Sequence, residues 1–156
     1  MNFKLKDVDH GYADLQRLVA KLRKNRASVV VGITEASGGK LHSDDLSISE
    51  IATTHEFGLG VPERSWLRGW FDENQDWIKS EIKKATKAVI EGRITEEKAL
   101  ELLGLKFVGS IKKRITNENK LKPNSPLTIA RKGSSKPLID EGRFIGAITH
   151  EVKPRA

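Results

Sequence analysis

The stretch that decides the fold runs from residue 51 to residue 68 and reads IATTHEFGLGVPERSWLR. Its first part has helical spacing, with Ile51 and His55 one turn apart, and Gly58 is a residue type that commonly ends a helix. Pro62 follows, and a proline disfavours helix at the residue before it. The second part places two arginines beside an aromatic and an aliphatic side chain. We therefore expect a junction here, held by the helices and strands of the remaining chain.

The chain of 156 residues has the size of one domain with a buried core. Hydrophobic residues make up 37% and charged residues 31%, which is typical of a polar but foldable protein. The absence of cysteine excludes disulfides, zinc ribbons, iron–sulfur clusters and thiol catalysis together. No apolar run approaches the ~20 residues of a membrane span, and the N-terminus lacks the apolar core of a signal peptide. We expect a protein that folds in a reducing cytoplasm and has no membrane partner.

The formal net charge of +7 is unevenly placed along the chain. Basic and acidic residues number seven and three in residues 1–30, ten and fourteen in residues 31–110, and eleven and four in residues 111–156. A basic end and an acidic middle suit contact with nucleic acid, and they suit head-to-tail self-association equally well. Solvated charged faces are the simpler alternative.

The pattern predicts a single α+β domain over residues 1–156, in which a small antiparallel or mixed sheet packs with three to four helices. Its parts are an N-terminal helix in residues 1–26, a strand plus helical body in 27–118, a long basic loop in 119–137, and a short helix and final strand in 138–153. The loop exceeds the usual length of an internal connection, so we expect it to be functional or disordered.

Local signals predict the individual elements. The first helix is expected over Asp7–Arg26, and the apolar run at residues 29–33 predicts a strand buried on both faces. Residues 36–47 read as a polar loop, and Ser47 or Ser49 can cap the helix that ends at Gly58. A long helix is expected over residues 70–91, with an apolar stripe that includes Ile82 and with Phe71 and Trp77 near its start.

The next helix is expected to begin at a Thr95 cap, and its stripe is Ala99, Leu103, Phe107, Ile111 and Ile115. Gly104 and Gly109 each cost this helix roughly 1 kcal/mol, and such glycines usually mark close approach of another backbone. Asp140 can cap a short helix that precedes the final strand. The boundary between that helix and the strand is ambiguous, because short apolar runs fit both structures.

Nothing in the residues indicates a chemical reaction. The run Ser37-Gly38-Gly39-Lys40 lacks the other residues of a phosphate loop, and His42, Asp44 and Asp45 are more typical of an exposed turn than of a metal site. His55 with Glu56 is the one candidate for catalysis, but no further catalytic motif accompanies it. Apart from this pair, the residues therefore point to no enzyme, no cofactor and no metal.

Two segments together resemble a known family. Residues 51–58 and 61–68 resemble the I-A-x-x-x-E-F-G and I-P-x-R-x-F-L-R patterns of tail-completion proteins from tailed phages. Residues 126–133 and 136–152 resemble the T-I-x-x-K-G and K-P-L-I-D-T-G-x-L-x-x-S-I-T-Y-x-V end of the same proteins. These are the phage virion morphogenesis proteins of Mu-like phages and the neighbouring tail-completion group of HK97-like phages. Glu141, Ala147 and Trp66 depart from the usual Thr, Ser and Phe.

The resemblance implies a structural virion protein that closes the head-proximal end of the tail or sits in the neck. It would be assembled in the bacterial cytoplasm as a ring of identical subunits, often six. Its partners would be its own copies, the tail tube, head–tail connector proteins and, more weakly, phage DNA passing through the lumen. The alternative left open by the charge is a non-enzymatic nucleic-acid-binding protein, whose affinity would fall steeply with salt.

The residues predicted to form the interface are of types that are enriched where proteins meet, or belong to the basic loop. They are Phe57, Arg64, Trp66, Arg68, Arg131, Lys132 and Arg143. The intramolecular alternative places Trp66 in the core and pairs the arginines with local carboxylates. Phe57 is also expected to anchor the helix end in the core.

Overall fold

The computed structural model describes residues 12–24, 27–39, 46–117, 120–126, 129–130, 138 and 142–154. These residues form six helices and two strands: α1 Tyr12–Lys24, β1 Ser28–Ile33, α2 Glu35–Gly38, α3 Ile48–Phe57, α4 Arg68–Ile90, α5 Glu96–Thr116, α6 Arg143–Ala147 and β2 Ile148–Lys153. The fold is therefore α+β, as the sequence predicts. None of the described helices combines the length and the apolar character that crossing a membrane would require.

The two strands pair antiparallel, with Val29 opposite Val152, Val31 opposite His150 and Ile33 opposite Ile148. These residues point to one face, which α5 covers. Val30, on the opposite face, is exposed, so the expectation that β1 is buried on both faces is wrong. A run of β-branched residues satisfies strand propensity on either face, and only the packing of other elements decides which face is buried.

Helix α5 organises the core. Its predicted stripe of Ala99, Leu103, Phe107, Ile111 and Ile115 is buried, and the helix packs on the sheet and along α4. The Nε1 of Trp70 donates a 2.9 Å hydrogen bond to Ser110 Oγ, and the Trp70 ring packs against Phe107. In the predicted α4 stripe, Ile78 and Val89 are buried and Ala85 packs against the core, so the prediction is wrong only at Ile82, which is 45% exposed. Phe71, near the start of the helix, is also exposed.

A buried carboxylate links α4 to α5 across their hydrophobic contact. Glu81 is buried on α4, and its two carboxylate oxygens accept hydrogen bonds from Lys106 of α5 and from Lys84 one turn along. These bonds hold the pKa of Glu81 below its usual value of 4.5. The link therefore contributes stability at pH values above 4.5 and loses it as the pH falls through the lowered pKa.

Gly104 is needed where α5 crosses β2. A Cβ at this position would come within 2.9 Å of His150 Cβ and still closer to the imidazole ring. The ring is held there, because its Nε2 lies 2.8 Å from Glu101 Oε2. Gly104 thus marks a close approach, as expected, although the neighbour is a side chain on a strand. A Cβ at Gly109 would meet nothing within 4 Å, so the same expectation fails for Gly109 inside the chain.

Gly104→Ala is expected to lower the free energy of unfolding by about 2 kcal/mol, because the imidazole must leave its place between α5 and β2. Urea denaturation followed by circular dichroism measures the change. A loss below about 0.5 kcal/mol would mean that the helix and strand separate easily and would contradict this assignment.

Several boundaries differ from those predicted. The α4 helix is observed at residues 68–90, and residues 35–38 form a short helical turn where a loop was expected. The first helix is observed at residues 12–24, and the rest of its predicted range lies outside the described residues. Gly142, at φ +70°, precedes α6, whereas the predicted cap Asp140 lies outside the described residues. Ile148 is the first residue of β2, which resolves the ambiguity between the short helix and the final strand.

Candidate interface at the helix junction

The ends of α3 are set by local chemistry that the sequence indicates. Ser47 caps the N-terminus, since its side chain accepts from the Glu50 backbone N–H while the Glu50 carboxylate accepts from Ser47 N. At the other end Gly58 adopts the left-handed conformation at φ +69°. The Arg64 N–H then donates a 2.7 Å hydrogen bond to His55 O, which folds the following segment back against the helix.

Glu56 holds the two sides of the junction together. One carboxylate oxygen accepts hydrogen bonds from Ser65 Oγ and from the backbone N–H and Nε of Arg68. The other accepts from the Leu67 N–H at 3.0 Å. Leu67 is the N-cap of α4 and Arg68 is its first residue, and the N-cap makes no side-chain hydrogen bond of its own. The buried Glu56 therefore caps α4 from the preceding helix and places a negative charge at its positive end.

Arg64 is buried and ties the junction to residues 122–124. Its Nε donates to Lys122 O at 2.8 Å, and its Nη2 donates to Pro123 O and to Asn124 Oδ1. Its Nη1 donates to His55 Nδ1 at 3.0 Å, because a guanidinium has no acceptor. Burial lowers the pKa of the Arg64 guanidinium. The side chain thus acts as a bracket between two segments far apart in sequence.

Trp66 joins the first family-like segment to the second. The indole is buried, its Nε1 donates to Ala52 O at 3.3 Å, and its ring meets that of Phe144 edge-on at 5.3 Å between centroids. Phe144 lies on α6, which also packs on α3. The first of these segments and the described residues 142–152 of the second therefore pack together.

An exposed surface covers this unit, and we call it the junction surface: Phe57, Leu59, Arg68 and Phe71. Phe57, Leu59 and Phe71 are 55%, 59% and 51% exposed. The Arg68 guanidinium lies 4.7 Å above the Phe57 ring, and Phe71 follows one turn later on α4. Arg68 also pairs with Glu56 and with Glu63 at 3.1 and 2.9 Å. The surface combines exposed aromatic rings with a half-exposed arginine, a combination enriched where proteins bind each other.

The structure places the predicted interface residues in three different situations. Phe57 and Arg68 lie together on the junction surface, and Arg143 is exposed at the start of α6. Trp66 is buried in the core, and Arg68 pairs with local carboxylates, which matches the intramolecular alternative for these two residues. Arg64 is also buried, but its hydrogen bonds go to backbone carbonyls and to Asn124 and His55, not to a carboxylate. Arg131 and Lys132 lie outside the described residues. The expectation that Phe57 anchors the helix end in the core is wrong, because its ring is largely exposed.

His55 and Glu56, the candidate catalytic pair, both make hydrogen bonds within the junction. Glu56 accepts hydrogen bonds from three residues of the junction, and His55 Nδ1 accepts from Arg64. Within the described part of the chain, no group of three or more His, Asp or Glu residues is placed to hold a metal ion. The arrangement suits a rigid surface for binding another macromolecule.

No protein-family model, curated protein or solved structure matches this chain. The family resemblance of residues 51–68 and 126–152 therefore stays a prediction.

Sequence reasoning missed two features of the site. The role of Glu56 as a cap for the next helix depends on a contact across the Gly58 turn, and a single-sequence pattern has no periodic signal for it. Leu59 and Phe71 were not among the predicted interface residues. Leu59 does carry a signal, since a large apolar residue between two glycines in a turn has little chance to reach the core.

Proposed function

We propose that this chain is a structural protein of a tailed-phage virion, acting as a tail-completion, tail-terminator or neck protein in a ring at the head–tail junction. Its role is assembly without chemical catalysis. Its partners are further copies of itself, the tail tube and connector proteins. The tail-terminator and neck roles share the same requirement, which is a subunit with a rigid surface that binds its own kind.

The contact between Trp66 and Phe144 is the observation that carries this proposal. The family-like segments are far apart in sequence, and a chance likeness in two short segments gives no reason for them to meet. Here they pack edge-on in the core, and α3 of the first segment packs on α6 of the second. Residues that resemble the family therefore build one unit, and that unit presents the junction surface.

The junction surface supports a binding role for this unit. Exposed aromatic rings on a rigid scaffold lose little conformational entropy when a partner covers them. Glu56 and Arg64 fix the backbone beneath the surface through hydrogen bonds at 2.8 to 3.1 Å. Heterologous contacts of this kind close into a ring when the rotation between neighbouring copies permits it.

The first test is the mass of the purified chain by multi-angle light scattering over a wide concentration range, at low and high salt. We expect a discrete oligomer of several subunits, seen as rings by negative-stain electron microscopy, and co-sedimentation with tail tubes of the phage that encodes the chain. A strict monomer that binds neither tail tubes nor connector proteins would contradict the proposal. Binding to duplex DNA by such a monomer, with an affinity that falls steeply with salt, would favour the nucleic-acid alternative.

A further inference from the structure

The side of α5 that faces away from the sheet has an unusual composition. Its residues are all exposed: Lys98, Leu102, Leu105, Lys106, Gly109 and Lys113. We call this set the α5 outer face. Leu102 and Leu105 are 40% and 57% exposed and lie one turn apart. Lys98 and Lys113 lie toward the two ends of the face, and Lys106 is paired with Glu81 of α4. The result is an apolar strip with a positive border.

Among the described residues, no contact of Gly109 requires a glycine. It lies in the middle of α5, where glycine is about 1 kcal/mol less favourable than alanine, and a Cβ there would stand in open space. Gly104, five residues earlier on the same helix, is needed because His150 crosses it. By the same physical reasoning, Gly109 leaves room for a neighbour that approaches from outside.

The junction surface and the α5 outer face have exposed groups of opposite charge near them. Asp72 and Asp76 are exposed on α4, one and two turns after Arg68, and Lys98 and Lys113 are exposed on the α5 outer face. The charge of Arg68 is balanced by Glu56 and Glu63, so the two aspartates supply the negative charge on this side of α4.

We infer that the α5 outer face of one copy binds the junction surface of a second copy. The contact would place Leu102 and Leu105 against Phe57, Leu59 and Phe71, with lysines facing Asp72 and Asp76. Two different surfaces of the same chain meet, so the contact is heterologous and each subunit uses both surfaces. The inference rests on the proposed ring and adds to it by naming the surfaces that join neighbouring subunits.

The test uses two single substitutions and mixes them. Leu105→Glu disables the α5 outer face, and Phe71→Glu disables the junction surface. Both side chains are more than half exposed, so both variants are expected to fold, which circular dichroism checks. Ile90→Glu is the matched control, since Ile90 is an exposed aliphatic residue at the end of α4 and belongs to neither surface.

We expect each of the two variants to associate at least about tenfold more weakly than the wild-type chain, while Ile90→Glu associates normally. An equimolar mixture retains one intact surface of each kind, so it is expected to give a complex of two subunits that grows no further. Gly109→Gln is expected to fold and to associate more weakly, because its side chain occupies the space left for the neighbour.

Three results would overturn the inference. In the first, the wild-type chain forms an oligomer that Leu105→Glu and Phe71→Glu leave unchanged, and the proposed function then stands without these surfaces. In the second, the wild-type chain is monomeric at every concentration, although binding to tail tubes would still support the proposed function. In the third, Leu105→Glu abolishes binding to DNA or another macromolecule by a monomeric chain, which would assign the α5 outer face to a different partner.

Discussion

Glu56→Ala is expected to lower the free energy of unfolding by about 4 kcal/mol, because several hydrogen-bond donors of the junction lose a buried, charged acceptor at once. The substitution removes the acceptor for the N–H groups of Leu67 and Arg68, for the Ser65 hydroxyl and for the Arg68 guanidinium. It also removes the negative charge from the N-terminus of α4, where the remaining side-chain cap is Ser65 Oγ, which accepts from the Gly69 N–H. Chemical denaturation measures the loss, and the far-ultraviolet signal shows whether α4 frays.

Two variants make the Glu56 prediction specific. Glu50→Ala removes a carboxylate from the same helix, but Glu50 is exposed and serves the local cap at Ser47, so a loss of only about 1 kcal/mol is expected. Glu56→Gln keeps the size of the side chain and one acceptor oxygen, and we expect it to lose about half as much as alanine. Equal losses for Glu50→Ala and Glu56→Ala would mean that the junction does not depend on the buried carboxylate.

The elements that could be predicted are those whose causes are local. Ser47, Gly58 and Thr95 act through their own conformation or through hydrogen bonds to residues within one turn, and the structure uses all three at helix ends. The α5 stripe repeats at a spacing that one helix face imposes, and every member of it is buried. Signals of this kind survive in a single sequence because they need no knowledge of the tertiary fold.

The predictions that failed concern the burial of single side chains, which depends on which other elements pack against them. Val30 and Ile82 have the hydrophobicity of core residues, but both are exposed. Val30 lies on the face of β1 that α5 does not cover, and Ile82 lies outside the contact of α4 with α5. Phe57 occupies the last position of α3, from which its ring lies under the Arg68 guanidinium. The partnership of Glu56 with α4 and that of Arg64 with residues 122–124 join positions that no helical or strand spacing relates.

Arg64→Ala is expected to lower the free energy of unfolding by about 3 kcal/mol, because several acceptors lose their charged donor at once. The guanidinium donates to the carbonyls of Lys122 and Pro123 and to the Asn124 side chain, and it also fixes His55. Arg64→Lys is expected to recover only part of the loss, since an ammonium group cannot reproduce the planar fork of donors. Arg68→Ala is the matched control, because the half-exposed side chain of Arg68 makes screened contacts worth about 1 kcal/mol or less.

Arg64→Ala also tests whether Arg64 holds the segment after α5 in place. If Arg64 holds residues 120–126 against the end of α3, its removal increases amide hydrogen exchange in that segment before global unfolding occurs. Exchange in α5 is expected to stay as slow as in the wild-type chain once the global loss is corrected for, because the hydrogen bonds of the Arg64 side chain go to His55 and residues 122–124. Uniformly faster exchange along the chain would show that Arg64 contributes to stability without locating residues 120–126. If the amides of residues 120–126 exchange slowly in the wild-type chain and rapidly in Arg64→Ala, the junction and the segment that follows α5 form one rigid unit.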